Sequence, residues 1–334
     1  MQAWGAILSN AKTAVGPELL FVDGFAGPGE YSTGEPGSPF VALNAVLDHT
    51  GSFPKPVRFK FIENDDERYQ HLCGKLAAEN ARIAGSARVR VDAPVLGECE
   101  PEVRRLIAAR NAARAPLGPA LFFFDQFGYS QVSMSLLAEI MKHDQCEVFS
   151  YLNCQRLVPY LTDPTKSQPI TDAYGRESWR AAIPLSGQAR QDCLISEYKN
   201  SIREIAKAPF PWSFAMFSNK GQLLHWLVFS TKNLSGLENM KRAMWRADKN
   251  GGFRFSDRDN PDQQTFFTEM DTDTWHADEL ARRLSGRVMT EAEMRLFVLT
   301  QTPFYKFKNA VRLLRRLQRA SPVKTGIDWP IRFH

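Results

Sequence analysis

The chain has 334 residues, 43% of them hydrophobic and 24% charged, with a net charge of +5. That balance excludes collagen-like, low-complexity and disordered classes, and no apolar run approaches the ~20 residues a membrane-spanning helix needs. The five cysteines (Cys73, Cys99, Cys146, Cys154 and Cys193) are odd in number and form no CxxC pair, which argues against a disulfide framework or metal site and predicts a reducing, cytoplasmic setting.

Residues 1–18 read as a short helix that lacks the basic-then-apolar pattern of a signal peptide. Leu19-Leu-Phe-Val22 reads as a buried strand ending in Asp23, followed by a loop with Gly24, Gly27 and Gly29. Ser38-Pro39 starts a helix, with Ser38 as N-cap and Pro39 at the first helical position. Val57 to Glu63 alternates apolar and basic residues and forms the second strand, and Asn64 to Glu67 opens a helix with acids in its first turn. Arg88 to Asp92 is a short third strand, Ala120 to Asp125 a fourth and Cys146 to Leu152 a fifth. The polar, turn-rich stretch 154–210 reads as a helical insertion. Trp212–Phe217 and Leu223–Ser230 flank Ser218-Asn-Lys-Gly-Gln222, the pattern of a hairpin. The fold class expected is α/β, a doubly wound, Rossmann-like sheet closed by an antiparallel hairpin, over residues 1–258.

The remaining stretch, 270–334, reads as a separate helical domain. From Trp275 to His334 there are twelve Lys/Arg and five Asp/Glu, so the surplus of seven leaves the preceding residues near −2. Helices are expected at Trp275–Ser285 and Thr290–Gln301, with Thr290 and Glu293 spaced as a capping box. The last helix, Tyr305 to Ala320, sets Phe307, Ala310, Val311, Leu314 and Leu317 on one side and Arg312, Arg315, Arg316 and Arg319 on the other. Three short helices, the last of them basic, and a Ser321–Gly326 turn resemble a winged-helix module, and the arginine face implies a polyanion, DNA or RNA, as partner.

Four strands end in Asp23, Glu63, Asp92 and Asp125. In open α/β sheets the ligand crevice lies outside the carboxyl ends of the strands, so four acids are expected to converge there. The first loop is no Walker sequence, since no Gly-Lys-Ser/Thr follows it, and its Pro28 and early acid make a poor dinucleotide fingerprint. Asp23-Gly-Phe-Ala-Gly-Pro-Gly29 instead resembles motif I of class I S-adenosylmethionine (SAM) methyltransferases. That resemblance implies SAM as cofactor, held by Asp23, Gly24, Phe25, Ala26, Gly27, Gly29 and Ser38, with both ribose hydroxyls on Glu63 and the adenine amine on Asp92.

More closely, Phe21–Gly29 with Gly37-Ser-Pro39, Phe59-Lys-Phe-Ile-Glu63, His225–Asn233, Met240–Trp245 and Gly252–Asp257 resemble the three-Cys-motif partner family of methyltransferase-like proteins. That likeness implies a partner protein encoded nearby. In place of the family's Asp-Pro-Phe-Gly the chain has Asp125-Gln126-Phe127-Gly128. In amino-methylating enzymes this segment accepts the target amine and stacks the base, so Asp125, Gln126 and Phe127 are the candidate catalytic residues for methylating a base exocyclic amine. The missing proline leaves a non-catalytic SAM- or nucleotide-binding module as the main alternative. Cys154, after the fifth strand, offers a second route as a pyrimidine C5 nucleophile, though a lone strand-end cysteine is more often a small buried residue. A nicotinamide oxidoreductase is a third reading, disfavoured by Pro28 and the hairpin.

Overall fold

The structure, a computed structural model, describes residues 16–51, 54–217, 223–247, 254–256, 269–322 and 330–334. The described strands are β1 (Leu19–Asp23), β2 (Val57–Glu63), β3 (Val89–Val91), β4 (Val95–Leu96), β5 (Ala120–Phe124), β6 (Cys146–Leu152), β7 (Trp212–Phe217), β8 (Leu223–Ser230), β9 (Arg254–Ser256), β10 (Val288–Met289), β11 (Ala320–Pro322) and β12 (Ile331–Phe333). Contacts divide the chain into two compact units, residues 1–213 with 224–233, and residues 214–223 with 234–334.

In the first unit the strand order is β3-β2-β1-β5-β6-β8. The first five of these run parallel, and β8 runs antiparallel to β6, with Val148 opposite Ser230. This is the Rossmann-like α/β arrangement that the alternation of strand and helix predicts. Leu19, Val22, Phe122 and Val148 are fully buried, as central parallel strands require, because such strands are covered on both faces. The chain leaves β1 for β2 and β3 on one side and returns to β5 on the other. The loops after β1 and β5 therefore diverge, which opens a crevice at their carboxyl ends. The insertion after β6 is helical, in pieces from Cys154 to Glu204, and packs around the buried Tyr174, Trp179 and Tyr198. The indole of Trp179 donates to Thr171 Oγ1 at 3.1 Å.

In the second unit β7 pairs in parallel with β9. Helices Glu269–Leu284, Glu291–Gln301 and Lys308–Arg316 accompany an antiparallel sheet ordered β10-β12-β11. Leu280, Leu284, Met294, Val298, Phe304, Val311, Leu314 and Phe333 form its core. Thr290 and Glu293 make the capping box in full. The final helix ends at Arg316 rather than Ala320, so Leu317 falls at the C-cap and is 55% exposed instead of joining the apolar side. Arg312, Arg315, Arg316 and Arg319 are all exposed, with Arg319 paired to Asp278 at 2.8 Å.

The helix Leu234–Ala247, read from sequence with the body, clusters with this second unit, and two of its polar residues show why. Glu238 pairs with Arg295 at 2.7 Å. The buried Lys241 ammonium donates to the carbonyls of Leu299 (2.7 Å), Thr302 (2.6 Å) and Phe304 (3.0 Å), satisfying the end of helix Glu291–Gln301. The expected N-terminal helix falls largely in residues 1–15, outside the described residues. So do the hairpin turn 218–222 and residues 323–326 of the Ser321–Gly326 turn.

Candidate functional site

The loop after β1 is held from both flanks. Gly24 N–H donates to Phe123 O at 3.0 Å and Ala26 N–H to Ile62 O at 2.9 Å, which ties the loop between β5 and β2. Gly27 and Gly29 sit at φ +62° and +85°, in the left-handed region that favours glycine. Gly24 is required for another reason. A Cβ there meets Cys99 Sγ at 2.4 Å and Phe124 Cδ1 at 2.8 Å. Gly24→Ala is therefore expected to cost about 1–3 kcal/mol by overpacking, seen as a lower urea midpoint with an unchanged m-value.

Asp23 is wholly buried and accepts from Ser38 Oγ at 2.6 Å and from Phe25 N–H at 3.1 Å. Burial, augmented by the neighbouring Asp125 and Glu63 charges, pushes its carboxyl up to about 7 despite those two hydrogen bonds. These two bonds make Asp23 an organiser of the glycine loop and of the helix start behind it. Ser38 is diverted by the same bond. The helix Ser38–Leu47 has Gly37 as its N-cap and no side-chain cap, so the Ser38 hydroxyl links helix to loop instead of capping.

Glu63 ends β2 and is 5% exposed. Its Oε2 accepts from Gly27 N–H at 2.7 Å, and its Oε1 from Asn64 N–H at 3.0 Å and Asp65 N–H at 2.9 Å. A carboxylate offers about four lone-pair sites, so these three donors leave about one, on Oε2. That suits one incoming hydroxyl better than the two expected from sequence.

Asp92 is not brought to the crevice. β3 stops at Val91, level with Phe59 in the middle of β2, and Asp92 pairs with Arg58 at 2.6 Å. Past Pro94, which has no N–H to donate, the chain resumes pairing as β4, where Leu96 is level with Glu63. The acid reaching the carboxyl edge is Glu98. Apolar Val95-Leu96 followed by Gly97-Glu98 repeats the strand-then-acid pattern, and this was the signal that a strand ending at Asp92 obscured. A cleft of about 610 Å³ opens there, lined among others by Gly24, Phe25, Glu63, Glu98, Arg104 and Gln131.

Asp125 follows β5, and burial pushes its carboxyl up to about 6. The Gln126 side chain is buried and held through both its amide atoms. Its Nε2 donates to Tyr151 O at 3.0 Å, and its Oε1 accepts from Gln131 N–H at 2.9 Å and Val132 N–H at 3.1 Å. A side chain so engaged has no reach to a substrate, so of Gln126 only the backbone is left for catalysis. Phe127 is 67% exposed, with the Arg68 guanidinium 5.5 Å from its ring centroid. Arg68 was not singled out from sequence, where it is one more charge in an acidic helix start. Tyr151 stacks on His225 at 4.1 Å, and burial lowers His225 to about 4, leaving it neutral near pH 7. Cys154 is 1% exposed and its thiol is pushed up to about 12 by burial. A covalent nucleophile requires an accessible, lowered thiol, the opposite of this setting.

No protein-family model and no curated protein matches the chain. Among solved structures it is similar to a human methyltransferase 10 domain containing protein, at 9% identity, with 69% of this chain and 79% of that one covered and a TM-score of 0.32. It is also similar to a geranyl diphosphate methyltransferase in complex with geranyl diphosphate and sinefungin, at 10% identity, 69% and 77% coverage and a TM-score of 0.26. The DszA carbon methyltransferase follows at 11% identity, 68% and 50% coverage and a TM-score of 0.32, so this chain spans half of that protein. Likenesses at these identities and TM-scores leave the activity to be argued from the chain's own residues. No helix among the described residues is long and apolar enough to cross a membrane.

Proposed function

We propose that the chain is a SAM-dependent methyltransferase acting on an exocyclic amine of a nucleic-acid base. The observation that carries this reading is Asp125, a largely buried carboxyl beside the exposed Phe127 ring, at the sheet edge that carries the cleft. The residues fit SAM. The cleft volume lies in the range of cofactor sites, Gly24 keeps the loop close to it, and Glu63 retains an acceptor for a ribose hydroxyl. Glu98, in place of Asp92, is the acceptor available to the adenine amine.

SAM supplies an electrophilic methyl group on a sulfonium. The chain's task is to align the amine and take its proton. With SAM bound, its methyl would pass from the sulfur to the amine nitrogen, and the Asp125 carboxylate would take the amine proton, directly or through solvent. Phe127 stacks the base. The turn constraint that a proline would supply comes here from three Gln126 side-chain hydrogen bonds, which weakens the case for a non-catalytic module.

A nucleic-acid substrate is further supported by the exposed arginines 312, 315, 316 and 319, on a unit whose helix and strand order resembles a winged helix. A three-Cys-motif partner protein remains part of the proposal on the strength of the sequence blocks.

The test is incubation with tritiated SAM and mixed DNA and RNA, then digestion and identification of the labelled nucleoside. Label on an exocyclic amine is the expected result; SAM binding without transfer supports the non-catalytic module instead. Cys154→Ala is expected to leave turnover unchanged, and a loss of transfer with retained fold would revive the C5 route.

A further inference from the structure

The loop from Asp125 to Val132 does more than present one ring. Gln126 pins its start and its end, bonding to Gln131 and Val132 on the loop and to Tyr151 on β6. Phe127 and Tyr129 therefore project from a fixed frame, while Ser130 and Gln131 of the same loop line the cleft. Tyr129 meets Tyr160, from the insertion after β6, with ring centroids 5.9 Å apart. Tyr160 is 40% exposed and Phe127 67% exposed. The Arg68 guanidinium lies 5.5 Å from the Phe127 ring centroid, on a main chain anchored by its N–H donating to the Asp65 cap at 2.9 Å.

The loop after Asp125 thus carries one exposed ring with a cation near it, and a second ring paired with Tyr160 of the insertion. A single exposed ring is ordinary on a protein surface; what points to base–aromatic stacking, worth about 1–3 kcal/mol per base, is that these rings belong to the loop whose Ser130 and Gln131 line the cleft. In a duplex, adjacent bases stack on each other at about 3.4 Å rise along the strand. Two neighbouring bases resting on two protein platforms must both be released from that stack. A single flipped base needs one platform only.

We infer that this chain acts on an unpaired strand, with the target base on the Phe127 ring beside the Arg68 guanidinium and its neighbour on the Tyr129–Tyr160 pair. Arg68 also supplies a positive charge for the adjoining phosphate, close to the exposed Phe127 ring. The inference rests on the nucleic-acid reading above and narrows its substrate to single strands, loops or ends.

The test measures binding by fluorescence anisotropy and transfer from tritiated SAM, for one labelled oligonucleotide as a single strand and as a perfect duplex. The single strand is expected to bind tighter and to have the lower KM. Tyr160→Ala is expected to weaken single-strand binding and raise KM by about 5- to 150-fold with little change in kcat, while Tyr160→Phe, which keeps the ring, stays near the parent. Arg68→Ala is expected to lower the slope of log K against log salt by about 0.7, one phosphate contact on a single strand. Equal or tighter duplex binding, or an unchanged KM and salt slope in both variants, overturns the inference even where transfer is intact. If no nucleic acid is labelled, the methyltransferase reading fails, and the anisotropy series still decides whether these residues hold a strand.

Discussion

Replacing Asp125 by asparagine is expected to lower kcat for methyl transfer by about 10²- to 10⁴-fold, while SAM affinity, measured by calorimetry, stays near that of the parent. The asparagine keeps size and hydrogen bonding but cannot take the proton the amine must lose. The pH dependence gives an independent check. Burial lifts the Asp125 carboxyl to about 6, so the parent is expected to lose rate as pH falls through 6 and to reach a plateau above it. A general acid would give the opposite slope. Asp23, lifted to about 7 by burial, titrates in a neighbouring range, and the profile of Asp125→Asn isolates its share, since only Asp23 remains to report. The same two groups contribute to stability against pH, opposed by His225 and His276, which burial lowers to about 4 and about 3. Both carboxyls bind protons more tightly in the folded chain than at their ordinary 3.8, so the folded state holds more protons between about pH 4 and 7. Their contribution to the stability of the ligand-free chain therefore declines as pH rises through that window while the two histidines contribute the opposite slope, so Tm is expected to rise more steeply with pH in Asp125→Asn than in the parent.

Much of this site was legible in the sequence because it is local. Leu19-Leu-Phe-Val22 followed by an acid and glycines is both strand and loop, and Phe61-Ile62-Glu63 delivers its acid to the edge for the same reason. The capping box at Thr290 is equally local. What could not be read depends on register and on partners far along the chain. Asp92 looked like a strand end, but the strand pauses there and resumes at Val95, a pause that only the alignment with β2 reveals. Ser38 has the chemistry of a cap, yet a buried carboxyl fifteen residues earlier competes for its hydroxyl. Gln126 read as a lost proline; its side chain restrains the turn through a strand twenty-five residues away. Arg68 carries no local signal at all, because its significance comes from a ring fifty-nine positions later in the chain, across the site.

Glu63→Gln is expected to weaken SAM binding by at least about 30-fold, and to do so partly through the loop rather than through the ligand. Truncating or neutralising one partner of a buried, charge-assisted hydrogen-bond set costs about 2–5 kcal/mol, and Glu63 is the acceptor for three backbone donors. Glutamine replaces one oxygen by an NH₂ group. If the amide oxygen stays with Asn64 and Asp65, the NH₂ faces the Gly27 N–H, donor against donor, and the loop must move. If it turns to Gly27, the helix start at Asp65 loses its acceptors. Either arrangement also presents the ribose with a weaker acceptor or none. Two measurements separate these contributions. A fall in the Tm of the ligand-free chain reports the loop term alone. The loss in calorimetric affinity for SAM beyond that for a minimal ligand lacking the ribose, such as methionine, reports the hydroxyl contact. An unchanged SAM affinity with a lowered Tm would remove Glu63 from the cofactor site and leave it as a loop anchor, and with it would go the chain's best acceptor for a ribose at this edge.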